Sequence, residues 1–229
     1  MKLKFKYSDR IVYLTPYNSK IERDILLYSS LSEELTLDGC LNILKDNIQC
    51  DFELTDTEKI IILYKLRSIS IGEEIPIRFV CDNCNAVNEQ DINISNLVQD
   101  SNITDSLIKD SYKELTEDNF QDFINIDIDE LDIDKYDELY ERTKNEITKF
   151  NLSEFKTCHK CKNSIKIDFS SIKYVIENMS EDTLISLYQC TNDLIFFSHY
   201  TRDDVENMLP FERTIFIELL NKTRENLNK

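Results

Sequence analysis

The sequence predicts an α+β fold: a small β core built around cysteines, flanked by N-terminal and C-terminal helices. Three observations lead to it. The cysteines include two Cys-x-x-Cys pairs, Cys81 with Cys84 and Cys158 with Cys161. Each pair lies between two runs whose apolar residues alternate at the period of a strand. Segments before and after these runs repeat their apolar residues at helical spacing. Two residues between paired cysteines let both thiolates turn toward one cation, and two such knuckles complete the tetrahedral shell of zinc. The core is therefore read as zinc-ribbon-like, with Cys81, Cys84, Cys158 and Cys161 as ligands of a structural Zn2+. A typical ribbon places about 15 to 20 residues between its knuckles; this chain places a far longer insertion there. A closed four-sulfur shell has no position for water, so the metal would hold structure and not catalyse.

In order along the chain, Leu3, Phe5 and Tyr7, then Ile11 and Tyr13, alternate with polar residues on either side of Ser8-Asp9, the pattern of a hairpin. Ser19 with Glu22 reads as a capping box for a helix of about three turns through Ile21, Ile25, Leu26 and Tyr28. Leu35 to Ile48 repeats the helical pattern. Thr55 with Glu58 forms a second box, before a helix whose run from Ile60 to Leu66 is apolar enough to be buried. Gly72 marks the turn after it. Glu74 to Val80 then leads into Cys81 as a strand, with Ala86 to Ile94 as its return, and Pro76 favours a sheet edge. Within the insertion, Phe123 to Asp129 alternates as a strand and Asp134 to Phe150 is helical. Ile165, Ile167 and Phe169 alternate after the second knuckle, forming a second hairpin with the strand before Cys158. Ser180 is expected to cap a helix through Leu184, Leu187, Tyr188, Leu194 and Ile195, with Glu181 and Asp182 in its first turn. Thr201 caps a short helix ending near Met208, Pro210 opens a final helix, and the residues from Arg224 onward are expected to fray. This divides the chain into residues 1–72 (hairpin and helices), 73–170 (the ribbon-like region with an acidic insertion at about 97–151) and 171–229 (C-terminal helices).

Composition narrows the function classes. Hydrophobic residues at 41% and aromatic residues at 10% over 229 positions are those of a globular protein. The 44 acidic against 27 basic residues give a net charge of -17, which opposes nucleic-acid phosphates and anionic membranes and favours protein partners. No apolar run is long enough to cross a bilayer, and no signal peptide is recognised, so a soluble intracellular protein is expected. Seven cysteines, an odd number with four in metal spacing, fit a reducing cytoplasm better than disulfides. Cys40, Cys50 and Cys190 are read as buried, inert thiols. With only Gly39 and Gly72 available, no glycine-rich phosphate cradle can be built.

Other candidate groups are weighed against blander roles. His159 could replace a cysteine as ligand, but four sulfurs already fill the shell, so it is read as a surface imidazole. Lys156, Lys160 and Lys162 would offset the negative charge of a tetrathiolate centre. Asp127, Asp129 and Glu130 lack the glycine that a calcium loop needs. His199 has no nucleophile or orienting partner in the sequence and is read as a packing or hydrogen-bonding residue. Arg213 is read as a member of an internal ion pair, with a partner carboxylate as the alternative.

Two stretches carry a resemblance. Leu66-Arg67-Ser68-Ile69-Ser70-Ile71-Gly72-Glu73-Glu74 leads into Cys81-x-x-Cys84, and His199-Tyr200-Thr201-x-x-Asp204-Val205-x-x-Met208-Leu209-Pro210-x-Glu212-Arg213 closes the chain. Together they resemble the T4-like bacteriophage baseplate protein family, over roughly the chain from Glu58 onward. The resemblance implies a non-enzymatic phage tail protein of the baseplate hub, either a hub component or an assembly chaperone. It would bind other baseplate or tail hub proteins, with no nucleic acid, membrane or small-molecule substrate. Its place would be the host cytoplasm during assembly, with the virion tail as a further location. No catalytic residues are implied. The runner-up from the knuckles alone is a zinc ribbon that binds nucleic acid or the transcription machinery.

Overall fold

Alternating apolar residues pair β1 (Leu3–Tyr7) with β2 (Arg10–Leu14) as an antiparallel hairpin in the computed structural model of the chain, Leu3 opposite Leu14 and Tyr7 opposite Arg10. The structure describes residues 3–7, 10–97, 120, 132–149 and 152–227. The turn expected at Ser8-Asp9, the strand expected over Phe123 to Asp129, and Asp127, Asp129 and Glu130 lie outside them. Val12 and Leu14 are buried while Tyr13 is exposed, as a strand with one covered face requires. The far side of β2 pairs with the short β3 (Ile48–Gln49).

That third strand corrects the helix expected from Leu35 to Ile48. Only Leu37–Ile43 is helical (α2), capped by the Thr36 hydroxyl. Asn47 ends the segment: its backbone N–H donates to the Leu44 carbonyl, and its side-chain amide donates to the carbonyls of Thr15 and Pro16, both at 3.0 Å. A buried asparagine that binds the backbone in this way competes with helix continuation. In α2, Gly39 is there for a close approach, because a Cβ on it would stand 2.1 Å from the Tyr28 hydroxyl. That hydroxyl accepts from the Thr36 N–H at 2.9 Å. Gly39→Ala is expected to push Tyr28 aside and cost about 1 to 2 kcal/mol, read as a lower urea midpoint.

The first helix, α1 (Ser19–Leu31), is capped by Asn18, whose side chain accepts from the Ile21 N–H. The expected box of Ser19 with Glu22 is not formed. Ser19 is already helical, and both residues are buried on tertiary partners described below. The box at Thr55 and Glu58 forms in full and opens α3 (Asp56–Ser70), which is buried on nearly every side from Ile60 to Leu66. Gly72 follows at φ 153°, a backbone that side chains rarely adopt.

Two antiparallel hairpins carry the cysteine pairs. β4 (Glu74–Val80) pairs with β5 (Val87–Asn93), and β6 (Ser153–Thr157) pairs with β7 (Ser164–Asp168). Ile75 and Ile77 are buried while Glu74, Pro76 and Arg78 are exposed, so one face of the first hairpin seals the core. β5 runs directly into the one-turn α4 (Ile94–Leu97). In the inserted region α5 (Ile133–Lys149) matches the expected helix, and Phe120 packs edge-on against Tyr136 and Tyr140.

The C-terminal part contains α6 (Ile172–Glu177), α7 (Leu184–Ser198), α8 (Arg202–Asn207) and α9 (Pro210–Leu227). α6 answers to none of the elements expected from the sequence. Thr183, and not Ser180, caps α7. Thr201 and Pro210 open α8 and α9 as expected. α9 is helical to Leu227, past the point where fraying was expected, because Arg224 pairs with Asp193 at 3.2 Å and lies 3.6 Å over the Phe197 ring. One core joins these parts, with Leu14, Ile25, Leu63, Ile75, Phe169 and Val175 among its members. Among the described residues the architecture is α+β, helices packed with three small antiparallel sheets. No described helix is long and apolar enough to cross a membrane.

Candidate metal centre

Each knuckle is built by the same backbone arrangement. In the first, the Cys81 N–H donates to the Ala86 carbonyl and the Asn85 N–H donates back to the Cys81 carbonyl. In the second, the Cys158 N–H donates to the Asn163 carbonyl and the Lys162 N–H to the Cys158 carbonyl. The residue after the second cysteine is left-handed in both, Asn85 at φ 54° and Lys162 at φ 62°. Asparagine tolerates that conformation, whereas lysine is held there by the surrounding turn. The chain thereby reverses tightly enough to aim two thiols at one point.

The two points coincide. All four sulfurs lie within 4.8 Å of one another, with Cys81 Sγ 3.5 Å from Cys161 Sγ and Cys84 Sγ 3.7 Å from Cys158 Sγ. Metal–sulfur bonds of about 2.3 Å in a tetrahedron set sulfurs about 3.8 Å apart. The four thiols could thus hold a metal ion. Residues 81 and 158 are far apart in the chain, and only the tertiary fold brings their hairpins side by side. The seven cysteines are all free of disulfides.

Three side chains tie the hairpins together beside the sulfurs. Asn88, buried on β5, accepts through Oδ1 from the His159 N–H at 2.9 Å and lies 2.8 Å from His159 Nδ1. Gln90 donates to the Thr157 carbonyl at 3.0 Å, and Lys156 reaches toward the Asp91 carbonyl at 3.4 Å. Sequence reasoning missed Asn88 and Gln90, since a polar residue on an alternating strand carries no sign that its partner lies on another hairpin.

Four thiols this close cannot all ionise without a cation, and their proton affinities split. Amide donation from Cys161 and then Lys160 lowers the Cys158 thiol to about 6 against the opposing effect of desolvation, and the Asn163 amide lowers Cys161 in the same direction. At Cys84 the Ala86 amide also lowers the value, but desolvation and the three neighbouring thiols outweigh it and push the thiol up to about 12. A bound cation would deprotonate all four. In metal-free protein at pH 7, above the value of Cys158 and below that of Cys84, Cys158 is expected to carry a thiolate while Cys84 stays protonated. Thiolate ultraviolet absorbance checks this: it should fall as the pH is lowered past about 6 and be reduced in Cys158→Ser.

The remaining candidates fall as follows. His159 is exposed and held by Asn88, outside the sulfur cluster. Cys40 is fully buried, its thiol pushed up to about 12 by desolvation; Cys50 and Cys190 are half-buried, less covered than expected. His199 is neither packed nor a base held by partners. It is exposed, and its left-handed backbone at φ 60° ends α7.

Arg213 is buried as an internal ion-pair member: Nη1 donates to Glu22 Oε2 and Nη2 to Asp182 Oδ2, both at 2.6 Å, with Ser19 Oγ also accepting from Nη1 at 2.8 Å. Glu22 accepts in turn from Ser180. Arg67, equally buried, donates to the Asn178 carbonyl, the Gly72 carbonyl and Glu181. Tyr17 donates to the Met179 carbonyl at 2.5 Å. The segment 178–182 is thus clamped by Arg67, Tyr17 and Glu22 from the N-terminal part and by Arg213 from the C-terminal helix.

That segment is where the second of two family matches begins. Residues 1–113 match the family described as T4 bacteriophage base plate protein, and residues 179–225 match the one described as the baseplate hub assembly protein Gp51 C-terminal domain. The chain resembles the T4-like bacteriophage baseplate protein family over these two stretches. The first match reaches residue 1, further than the resemblance carried by the two motif stretches, which covers the chain from about Glu58 onward. Both descriptions are of baseplate proteins, the second of a hub assembly protein, and together they support a role in baseplate hub assembly. Cys81 and Cys84 lie within the first match; Cys158 and Cys161 lie outside both. Among curated proteins and among solved structures, none matches the chain.

Proposed function

We propose that this protein is a non-enzymatic assembly factor, a chaperone of the hub that binds other phage baseplate proteins in the host cell. The observation that carries the reading is the hub-assembly family match over residues 179–225, locked to the first matched region through Arg67, Tyr17 and Glu22. In this reading residues 1–72 and 171–229 build the helical body. Residues 73–170 hold it rigid as a zinc-ribbon-like clamp, in which Cys81, Cys84, Cys158 and Cys161 bind one structural zinc ion. The sulfur spacing supports the clamp, and a closed thiolate shell suits zinc.

The test is to tag the chain in infected cells, isolate the complexes and identify their proteins, with purified particles examined alongside. An assembly factor is recovered with hub precursors and is depleted from finished tails. Stoichiometric presence in finished tails would make it a hub component instead. Recovery without any baseplate protein would end the protein-binding reading.

A further inference from the structure

The two hairpins that carry the cysteine pairs belong to separate two-stranded sheets, β4 with β5 and β6 with β7. Among the described residues no backbone ladder joins them and sets their distance. That distance matters, because the close sulfur pairs, Cys81 with Cys161 at 3.5 Å and Cys84 with Cys158 at 3.7 Å, each span from one hairpin to the other. A slip between the hairpins enters both spacings directly. Metal–sulfur bonds hold to within about 0.2 Å of their proper length, so side chains have to keep the hairpins in place.

Asn88 stands where this is done. On β5 the buried residues Asn88 and Ile92 lie on one face; Ile92 enters the core, and Asn88 sits toward the sulfur end. At 1% exposure the Asn88 amide is cut off from water and has to find partners inside the protein. It finds them on both knuckles. Its Nδ2 donates at 3.0 Å to the Ala86 carbonyl, the same oxygen that accepts from the Cys81 N–H at 2.9 Å and closes the first knuckle. Its Oδ1 accepts at 2.9 Å from the N–H of His159, the residue after Cys158. Because that oxygen can only accept, His159 Nδ1, 2.8 Å away, donates to it as well. Gln90 and Lys156 also cross between the hairpins, but both are partly exposed, where water competes for the same bonds. What separates Asn88 from an ordinary satisfied core amide is that its partners on both sides adjoin the candidate ligands.

We propose that Asn88 is a positioning residue for the metal centre, fixing one cysteine pair against the other so that the ion meets four sulfurs at once and is slow to leave. The inference rests on the zinc clamp proposed above. Without Asn88 the hairpins can part, and an ion left on two sulfurs is open to a competing ligand. Outer partners of this kind typically govern about 10- to 100-fold in metal affinity.

Zinc titration of the full chain against a chromophoric chelator, well below the melting temperature, tests it. Asn88→Ala is expected to bind zinc about 10- to 100-fold more weakly and to release it faster, with its circular dichroism unchanged. His159→Ala leaves the backbone donor in place and should lose less than Asn88→Ala does. A folded Asn88→Ala chain that holds zinc as tightly and as long as the unmodified chain would overturn the proposal and leave Asn88 a packing residue only. Hydrogen exchange on the unmodified, zinc-loaded chain needs no substitution. Residue 159 is exposed, so slow exchange of its amide is expected from the bond to Asn88, and exchange at the rate of an open turn would equally overturn the proposal. An unmodified chain that binds no zinc is a distinct result: it removes the clamp itself, and the positioning role with it.

Discussion

In the proposed metal clamp, removing the ion, or any one of Cys81, Cys84, Cys158 and Cys161, is expected to melt the protein about 10 °C lower. Zinc in isolated fingers contributes apparent binding energies of about 10 to 16 kcal/mol because those peptides have no other core. Here the apolar core also draws on β2, α3 and α6, so the loss is confined to the two hairpins and what they cover. A local cost of about 3 to 5 kcal/mol, at about 2 to 4 °C per kcal/mol for a chain of this size, gives that shift. Cys81→Ser and Cys158→Ser should cost nearly the same. The double variant should cost no more than either alone, because one ion gripped by both knuckles is lost once. Calorimetry beside metal analysis of the native protein checks this. Additive losses would mean that the knuckles act separately, and an unchanged melt with no metal bound would remove the clamp.

Arg213→Ala is expected to be comparably damaging, for a different reason. Its guanidinium is 2% exposed and its partner Glu22 is 1% exposed, so truncation strands a carboxylate in the core. Breaking a buried pair in this way costs about 3 to 5 kcal/mol, whereas replacing both partners with apolar residues of similar volume is often close to neutral. Arg213→Met with Glu22→Met should therefore recover much of what Arg213→Ala loses. Arg213→Lys should not, since one ammonium cannot serve Glu22 and Asp182 from the two separate nitrogens that now reach them at 2.6 Å. Urea unfolding of the three variants separates these outcomes. If Arg213→Ala costs under about 1 kcal/mol, the range of an exposed pair, the buried clamp on residues 178–182 does not hold the two matched regions together.

The elements that could be read in advance are those whose signal is local. Alternation marked β1, β2, β4, β5 and β7, because a half-covered strand must alternate whatever surrounds it. Thr55 with Glu58 announced α3, and Pro210 announced α9, since a cap is satisfied within one turn. The four cysteines were legible for the same reason, each pair carrying its own knuckle. Ser19, Glu22 and Ser180 misled because they look like caps, yet their polar atoms serve Arg213 and one another. The family matches then extended the reading to residue 1.

By itself, then, the sequence determined the α+β class, most helices and strands, both thiol pairs and the family resemblance carried by its two motif stretches. Tertiary structure alone decided that the pairs meet within 4.8 Å, that Asn88 latches one hairpin to the other, and that Arg67 and Arg213 are buried clamps. The division has a physical cause. Periodicity and capping are satisfied by neighbours along the chain, whereas a buried charge or a shared metal shell is satisfied by residues that only folding brings near.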